Sequence, residues 1–303
     1  MTAAQPLLGG VELGGTKCIC LMGTGPDHIR EQRTIPTTDD AEATLAEIER
    51  TLLDWQRRIG AMAALGIASF GPVDLAARSP TYGFITSTPK RGWRRTDVGQ
   101  RLARTFRVPV GFDTDVNGAA LAEGRWGAAR GLTDFAYITV GTGIGVGVVA
   151  AGRPIGGITH PELGHIRVAR QSGDTWPGAC SFHGDCLEGL AAGPSIEKRL
   201  GIRAEHLAPD HPVWELFVHA LAQLLHTLVL ASAPQRILLG GGIMNAQQHL
   251  FDRLRHELQR SLNHYVELPQ LEAGIDQYIQ PPGLGALAGP LGALALAQEA
   301  LRT

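Results

Sequence analysis

The sequence predicts an α/β protein of two domains with a cleft between them. Apolar, strand-like runs alternate with segments of helical period along the chain. The two halves open alike, each on a hairpin whose turn is made of glycine and threonine, which suggests a weak internal duplication. The length, 303 residues, exceeds one small core and fits one large domain or two ordinary ones. The expected division is a smaller α/β domain over residues 1–117 and a larger one over 118–289, with a C-terminal helix at about 290–303 packing back on the first.

The elements follow in order. Residues 9–23 read as a hairpin broken by Gly14-Gly15, and a third strand lies near Glu31–Ile35. From Asp40 to Arg58, Leu45, Ile48, Leu52, Trp55 and then Ile59 recur at helical spacing. AALGIASF reads as a buried strand ending at Gly71-Pro72, and a turn-rich loop leads to Trp93. A helix is expected over Asp97–Phe106, then the strand VPVGF, a break at DTDVN, and a helix from Gly118 to Gly127. The second half opens on the hairpin FAYITVGTGIGVGVVAAGR and continues through an irregular Gly/Pro-rich stretch, 152–187. Helices at about 213–231 and 246–260 flank the short strand RILLGGG, and the last segment is a helix rich in small residues.

Composition narrows the function. Hydrophobic residues make up 44% and charged residues 18%, an ordinary globular balance. With 27 basic and 29 acidic residues the net charge is −2, so nothing marks the chain for nucleic acid or an anionic membrane. No basic, then apolar, leader and no bilayer-length segment is read, so a cytoplasmic protein is expected.

Three glycine-rich turns follow strands: Gly14-Gly15-Thr16-Lys17, Gly141-Thr142-Gly143 and Gly240-Gly241-Gly242. Glycine lets backbone N–H groups approach phosphate oxygens, and threonine adds a hydroxyl donor. None is a Walker A loop or a dinucleotide fingerprint, and each alone could be only a tight turn. Together they point to a nucleotide.

Two further groups carry chemistry. Asp115 stands where a strand ends and a helix begins, a position that taken alone favours an N-cap and that the other motifs turn toward a general base; Asp113 is the lesser candidate. His165, Cys180, His183 and Cys186 form a Cys₂His₂ set with the tight spacing of a tetrahedral Zn²⁺ site, closed and structural. A Cys180–Cys186 disulfide is the competing reading, disfavoured in a cytosolic chain.

As an ordered set, Glu12-Leu-Gly-Gly-Thr-Lys17, Gly66-Ile-Ala-Ser-Phe-Gly-Pro-Val-Asp74, Thr114-Asp115-Val-Asn117, Thr139-Val-Gly-Thr-Gly143, Glu162-Leu-Gly-His165, Cys-Leu-Glu188 and Leu239-Gly-Gly-Gly242 resemble the ROK family of sugar kinases and repressors. Thr88-Pro-Lys-Arg-Gly-Trp93 and His160-Pro-Glu-Leu-Gly-His165 resemble its bacterial fructokinase branch, and the likeness runs from about residue 8 to the C-terminus. The resemblance implies an actin-like ATPase (ribonuclease H-like) fold and an ATP-dependent kinase acting on fructose, with mannose or glucose as alternatives and a sugar-sensing regulator as the other class. It implies Asp115 as the base, and Gly71, Asn117, Glu162, His165 and Glu188 around the sugar. Pro194 and Gly240–Gly242 would lie beside the adenosine. Mg²⁺ would accompany ATP, and the partner would be a second copy in a homodimer. The family commonly ligates zinc with three cysteines, so His183 is a departure that neutral imidazole accommodates.

Overall fold

A computed structural model describes residues 5–302; the outermost ends of the expected domains, 1–4 and 303, lie outside them. The chain forms two compact units. The first holds the chain up to Gly131, Pro154–Pro161 and the stretch from Gly283; the second holds Leu132–Arg153 and Glu162–Pro282. The boundary read from the sequence, 117/118, falls inside a helix.

In the first unit, β1 (Leu8–Leu13), β2 (Lys17–Gly23) and β3 (Ile29–Pro36) form an antiparallel meander, followed by α1 (Ala41–Ile59) and β4 (Ala64–Ser69). After the short pair β5 (Phe84–Ile85) and β6 (Thr96–Asp97) come α2 (Gly99–Phe106), β7 (Val110–Thr114) and α3 (Asp115–Trp126). The sheet order is β3-β2-β1-β4-β7, with β1, β4 and β7 parallel. β4 is buried at every residue, as a strand covered on both faces must be. On α1 the predicted stripe Leu45, Ile48, Leu52 and Trp55 is buried, and Asp40 caps the helix by accepting from Ala43 N–H at 2.9 Å.

The DTDVN stretch is not the break the sequence suggested. β7 runs on to Thr114, because Asp113 and Thr114 pair with Ala68 and Ser69 of β4, and α3 starts at once with Asp115. Thr114 is the cap, its hydroxyl accepting from Asn117 N–H at 3.1 Å. The N-cap role considered for Asp115 is therefore taken by its neighbour.

In the second unit, β8 (Phe135–Val140) and β9 (Ile144–Ala150) form the matching hairpin, with the short strand β10 (Arg153–Pro154) beyond it. A 3-10 turn at Leu163–His165 precedes α4 (Leu187–Ala191), α5 (Gly193–Leu200) and α6 (Val213–Ser232). Then follow β11 (Ile237–Gly240), α7 (Gly242–Ala246), α8 (Leu250–Leu262), α9 (Ile275–Tyr278) and β12 (Ile279–Gln280). The order β10-β9-β8-β11-β12 repeats the plan of the first sheet, with β8, β11 and β12 parallel.

Two sequence expectations change here. α4 is too short to show a period, α5 opens on Gly193-Pro194 directly after it, and neither was foreseen. α6, at 20 residues with mean hydropathy 1.5, is long and apolar enough to cross a membrane, contrary to the sequence reading. It packs instead against α4 and α8, with Trp214, Leu221, Leu224 and Leu225 fully buried.

The chain closes with α10 (Ala288–Ala300), which returns to the first unit and packs on β1, β4, β7 and α3. Its small residues permit close approach: a Cβ on Gly66 of β4 would lie 1.8 Å from Ala293 O. At the other end of α3, the fully buried Glu123 carboxylate accepts from Ala128, Gly283 and Leu284 N–H groups at 2.7–3.0 Å.

Candidate functional site

The first unit carries the carboxylates. The strand–helix junction puts Asp115 on the first turn of α3, half-buried. One of its oxygens accepts from Val116 N–H at 2.9 Å, and the other has no partner among the described residues. Burial pushes its carboxyl up to about 6, against the lowering effect of nearby backbone N–H groups. Asp113 is engaged differently: Thr114 N–H and Asn117 Nδ2 both donate to its Oδ1 at 2.7 Å. Asp115 thus accepts one hydrogen bond, from the neighbouring backbone, whereas Asp113 accepts two, one of them from the Asn117 amide.

Gly14, Gly15, Thr16 and Lys17 form the β1–β2 turn, closed by Gly14 N–H donating to Lys17 O at 3.1 Å. Behind it, at the end of β1, stands Glu12. Burial first, then the charge of Asp115, pushes the Glu12 carboxyl up to about 7, while Lys17 opposes the shift. The motif Glu12-Leu-Gly-Gly-Thr-Lys17 by itself assigns Glu12 no role. The available signal was an acidic residue inside an otherwise apolar strand.

Gly71 sits in a cis Gly71–Pro72 peptide. The loop it begins is held by His160, whose Nε2 accepts from Val73 N–H at 3.0 Å. Nε2 is thus unprotonated, and burial lowers the His160 pKa, so the ring is neutral. The motif His160-Pro-Glu-Leu-Gly-His165 likewise assigns His160 no role.

The second unit brings the other glycine turns together. Gly193 N–H, opening α5, donates to Gly141 O at 2.8 Å, and Gly141 also lies against Gly242 at the start of α7. The Gly141-Thr142-Gly143 turn, Pro194 in the first turn of α5 and Gly240-Gly241-Gly242 thus form one backbone-rich patch. Gly241 needs its glycine: φ is +95°, and a Cβ would meet Val140 backbone at 2.4 Å.

Beside this patch, Glu188 on α4 accepts from Ile144 N–H at 3.0 Å through Oε2, while its Oε1 lies 3.8 Å from His165 Nε2. Glu162 directly precedes the 3-10 turn that carries His165.

All four predicted metal ligands converge. His165 Nδ1, Cys180 Sγ, His183 Nδ1 and Cys186 Sγ lie within 4.8 Å of one another. The two nitrogens are 3.3 Å apart, Cys180 Sγ lies 3.7 Å from each of them, and Cys186 Sγ lies 3.5 Å from His165 Nδ1. A tetrahedron with Zn–N of about 2.05 Å and Zn–S of about 2.3 Å has edges of about 3.3 Å and 3.6 Å for these pairs. Zn–ligand chemistry and edge lengths both fit. All four cysteines are free, so the disulfide alternative does not occur.

The sequence pattern of the ROK family matches residues 8–300. The chain is 41% identical over 296 residues to a fructokinase of Pediococcus pentosaceus, covering 98% of this chain and 99% of that one. It is 38% identical over 296 residues to a fructokinase of Streptococcus mutans, covering 97% and 98%. Among solved structures, a ROK hexokinase from Thermus thermophilus superposes with a TM-score of 0.80 at 28% identity, covering 98% and 99%. A ROK family glucokinase from Streptomyces griseus, solved with glucose and AMPPNP, shares the fold with a TM-score of 0.77 at 23% identity, covering 97% and 99%.

Proposed function

Because this chain belongs to the ROK family and has the actin-like ATPase fold of its sugar kinases, we propose that it is an ATP-dependent fructokinase, which transfers the γ-phosphoryl group of ATP to the 6-hydroxyl of D-fructose. One observation carries the choice of sugar: the relatives at 38–41% identity over nearly the whole chain are fructokinases, whereas a glucokinase and a kanosamine kinase of similar coverage are only 27–28% identical.

The chemistry asks for a base, an anion cradle and a sugar clamp. Asp115 is the base. It takes the proton of the 6-hydroxyl as that oxygen bonds to the γ-phosphorus and the bond to the leaving ADP breaks. Asp113 holds Asn117, which sets the start of α3. The backbone N–H groups of the Gly14–Lys17 turn in the first unit, and of the Gly141–Gly143 turn in the second, are each suited to phosphate oxygens, and Pro194 and Gly240–Gly242 of the second unit to adenosine. Mg²⁺ bound with ATP would neutralise phosphate charge, and Glu12, a hard oxygen donor beside Asp115, is the carboxylate placed to meet it.

On the sugar side, Gly71, Glu162, His165 and Glu188 receive hydroxyls. Glu188 has one oxygen locked by Ile144 N–H, which leaves Oε1 to the substrate. Zn²⁺ on His165, Cys180, His183 and Cys186 would fill a closed tetrahedral site with no place for a reacting water, so its work is to hold the loop that orients His165 and Glu188. A cytoplasmic location and a homodimer follow from family resemblance alone.

A coupled ADP-release assay across fructose, mannose, glucose and N-acetyl sugars tests the reading. Fructose should give the highest kcat/KM. A preference for another hexose would replace the substrate and keep the kinase; no sugar-dependent ADP release would remove both.

A further inference from the structure

We propose that Thr37 is a positioning residue for ATP, clamping the Gly14–Lys17 turn at both of its ends. The inference rests on the reading of that turn as a phosphate cradle. Thr37 follows β3 and is 6% exposed. Its backbone N–H donates to Thr16 O at 3.0 Å, and its hydroxyl donates to Gly14 O at 2.8 Å. One residue therefore grips the two carbonyls on either side of Gly15.

The turn needs such a grip. Two consecutive glycines leave its backbone with more conformational freedom than any other pair, and a Cβ on Gly15 would meet nothing within 4 Å. Gly15, Thr16 and Lys17 are exposed, so side-chain packing does not hold them. An anion cradle works only when its N–H groups already point where the phosphate oxygens will sit, since ordering on binding subtracts from affinity.

Thr37 itself is anchored on two sides. Cys18 Sγ lies 3.0 Å from its Oγ1, and burial pushes the Cys18 thiol up to about 11. With the thiol protonated and the hydroxyl hydrogen already donated to Gly14 O, Cys18 S–H is the donor to Thr37 Oγ1. On the other side, the fully buried Trp93 donates from Nε1 to Thr38 O at 2.8 Å, and Gly92 packs on Asp39 so closely that a Cβ would lie 1.8 Å from its carbonyl oxygen. The segment 37–39 is thus a braced strap, and the turn leans on it.

The test compares Thr37→Val, Thr37→Ser and Thr16→Ala by steady-state kinetics, with thermal melting alongside. Val keeps the shape and the backbone N–H but loses the hydroxyl, leaving Gly14 O without its donor. It should raise KM for ATP about tenfold, with KM for fructose changed less than about twofold. Ser should restore KM for ATP to within about twofold of the parent. Thr37→Ala takes the place of Val if that variant does not fold. An unchanged KM for ATP in Thr37→Val, with Thr16→Ala impaired toward ATP, would overturn the clamp and keep the phosphate turn. Thr16→Ala with parental ATP kinetics would instead remove the phosphate-turn reading. An equal rise in both KM values, not rescued by Ser, would reduce Thr37 to a packing residue and also overturn the proposal.

Discussion

Asp115 owes its proposed role to two neighbours that relieve it of other work. Thr114 caps α3, and Asp113 takes the Asn117 amide, so Asp115 keeps one oxygen unengaged. Asp115→Asn should fold and bind fructose but lose about 10² or more in kcat, which single-turnover measurement with saturating ATP would read. With the carboxyl at about 6, kcat of the parent should fall as pH drops below that value, and the Asn variant should lack this acidic limb. The stability effect has the opposite sense. A carboxyl raised from about 3.8 to about 6 binds its proton more tightly in the folded state, so its contribution is full below about 3.8 and is lost as pH rises through about 6. Asp115→Asn should therefore melt higher than the parent at pH 8, by roughly 2 °C or more, and equally at pH 4; calorimetry at the two pH values decides it. Asp115 was legible because a motif named it. Glu12 and His160 stand in other motifs of the same ordered set, yet their surroundings depend on burial and on a cis-peptide loop that the amino-acid string does not display.

The element scale is where spacing helped most and periodicity least. The Cys-x-x-His-x-x-Cys run with His165 upstream picked out four side chains that converge in a cluster able to hold a metal, a set with few other uses in one irregular segment. What spacing could not show is that both imidazoles turn Nδ1 inward, which leaves His165 Nε2 toward Glu188. Purified protein should contain about one zinc per chain, and Cys180→Ser should lose it. The loss should raise KM for fructose much more than KM for ATP, because the ligands carry the sugar-side residues; metal analysis with paired KM values checks both halves. The end of β7 failed for a different reason. Asp113 and Thr114 are polar, so the hydrophobic pattern stops at Phe112, whereas the parallel ladder to β4 continues for two more residues. Pairing with a distant strand overrode local composition. α4, at 5 residues, is too short to show a helical period, and α5 opens on Gly193-Pro194 directly after it, so local composition reads as a turn.

At the scale of the whole molecule, the repeated strand order makes the duplication visible, and the 39 glycines become two populations that the sequence alone runs together. Some exist for packing. Gly66 lies under α10, where a Cβ would strike the Ala293 carbonyl at 1.8 Å and Ala297 N at 2.5 Å, and neither backbone atom can swing aside. Others face open space, as Gly15 does with nothing within 4 Å of its would-be Cβ, and on the proposed reading that space admits a phosphate. The two classes should separate cleanly in one experiment. Gly66→Ala must push α10 off β4 and should destabilise the first unit by on the order of 2 kcal/mol or more, as overpacked cores do. Its thermal midpoint should fall while the zinc content, held by residues of the second unit, stays at the parental level. Gly15→Ala should leave the midpoint within about 1 °C of the parent, since it meets no neighbour and its backbone lies outside the left-handed region. It should instead raise KM for ATP, because a methyl group would occupy the space that a phosphate approaches. A fall in the Gly15→Ala midpoint with parental ATP kinetics would place that glycine among the packing ones, and the first-unit phosphate turn would lose its strongest geometric support.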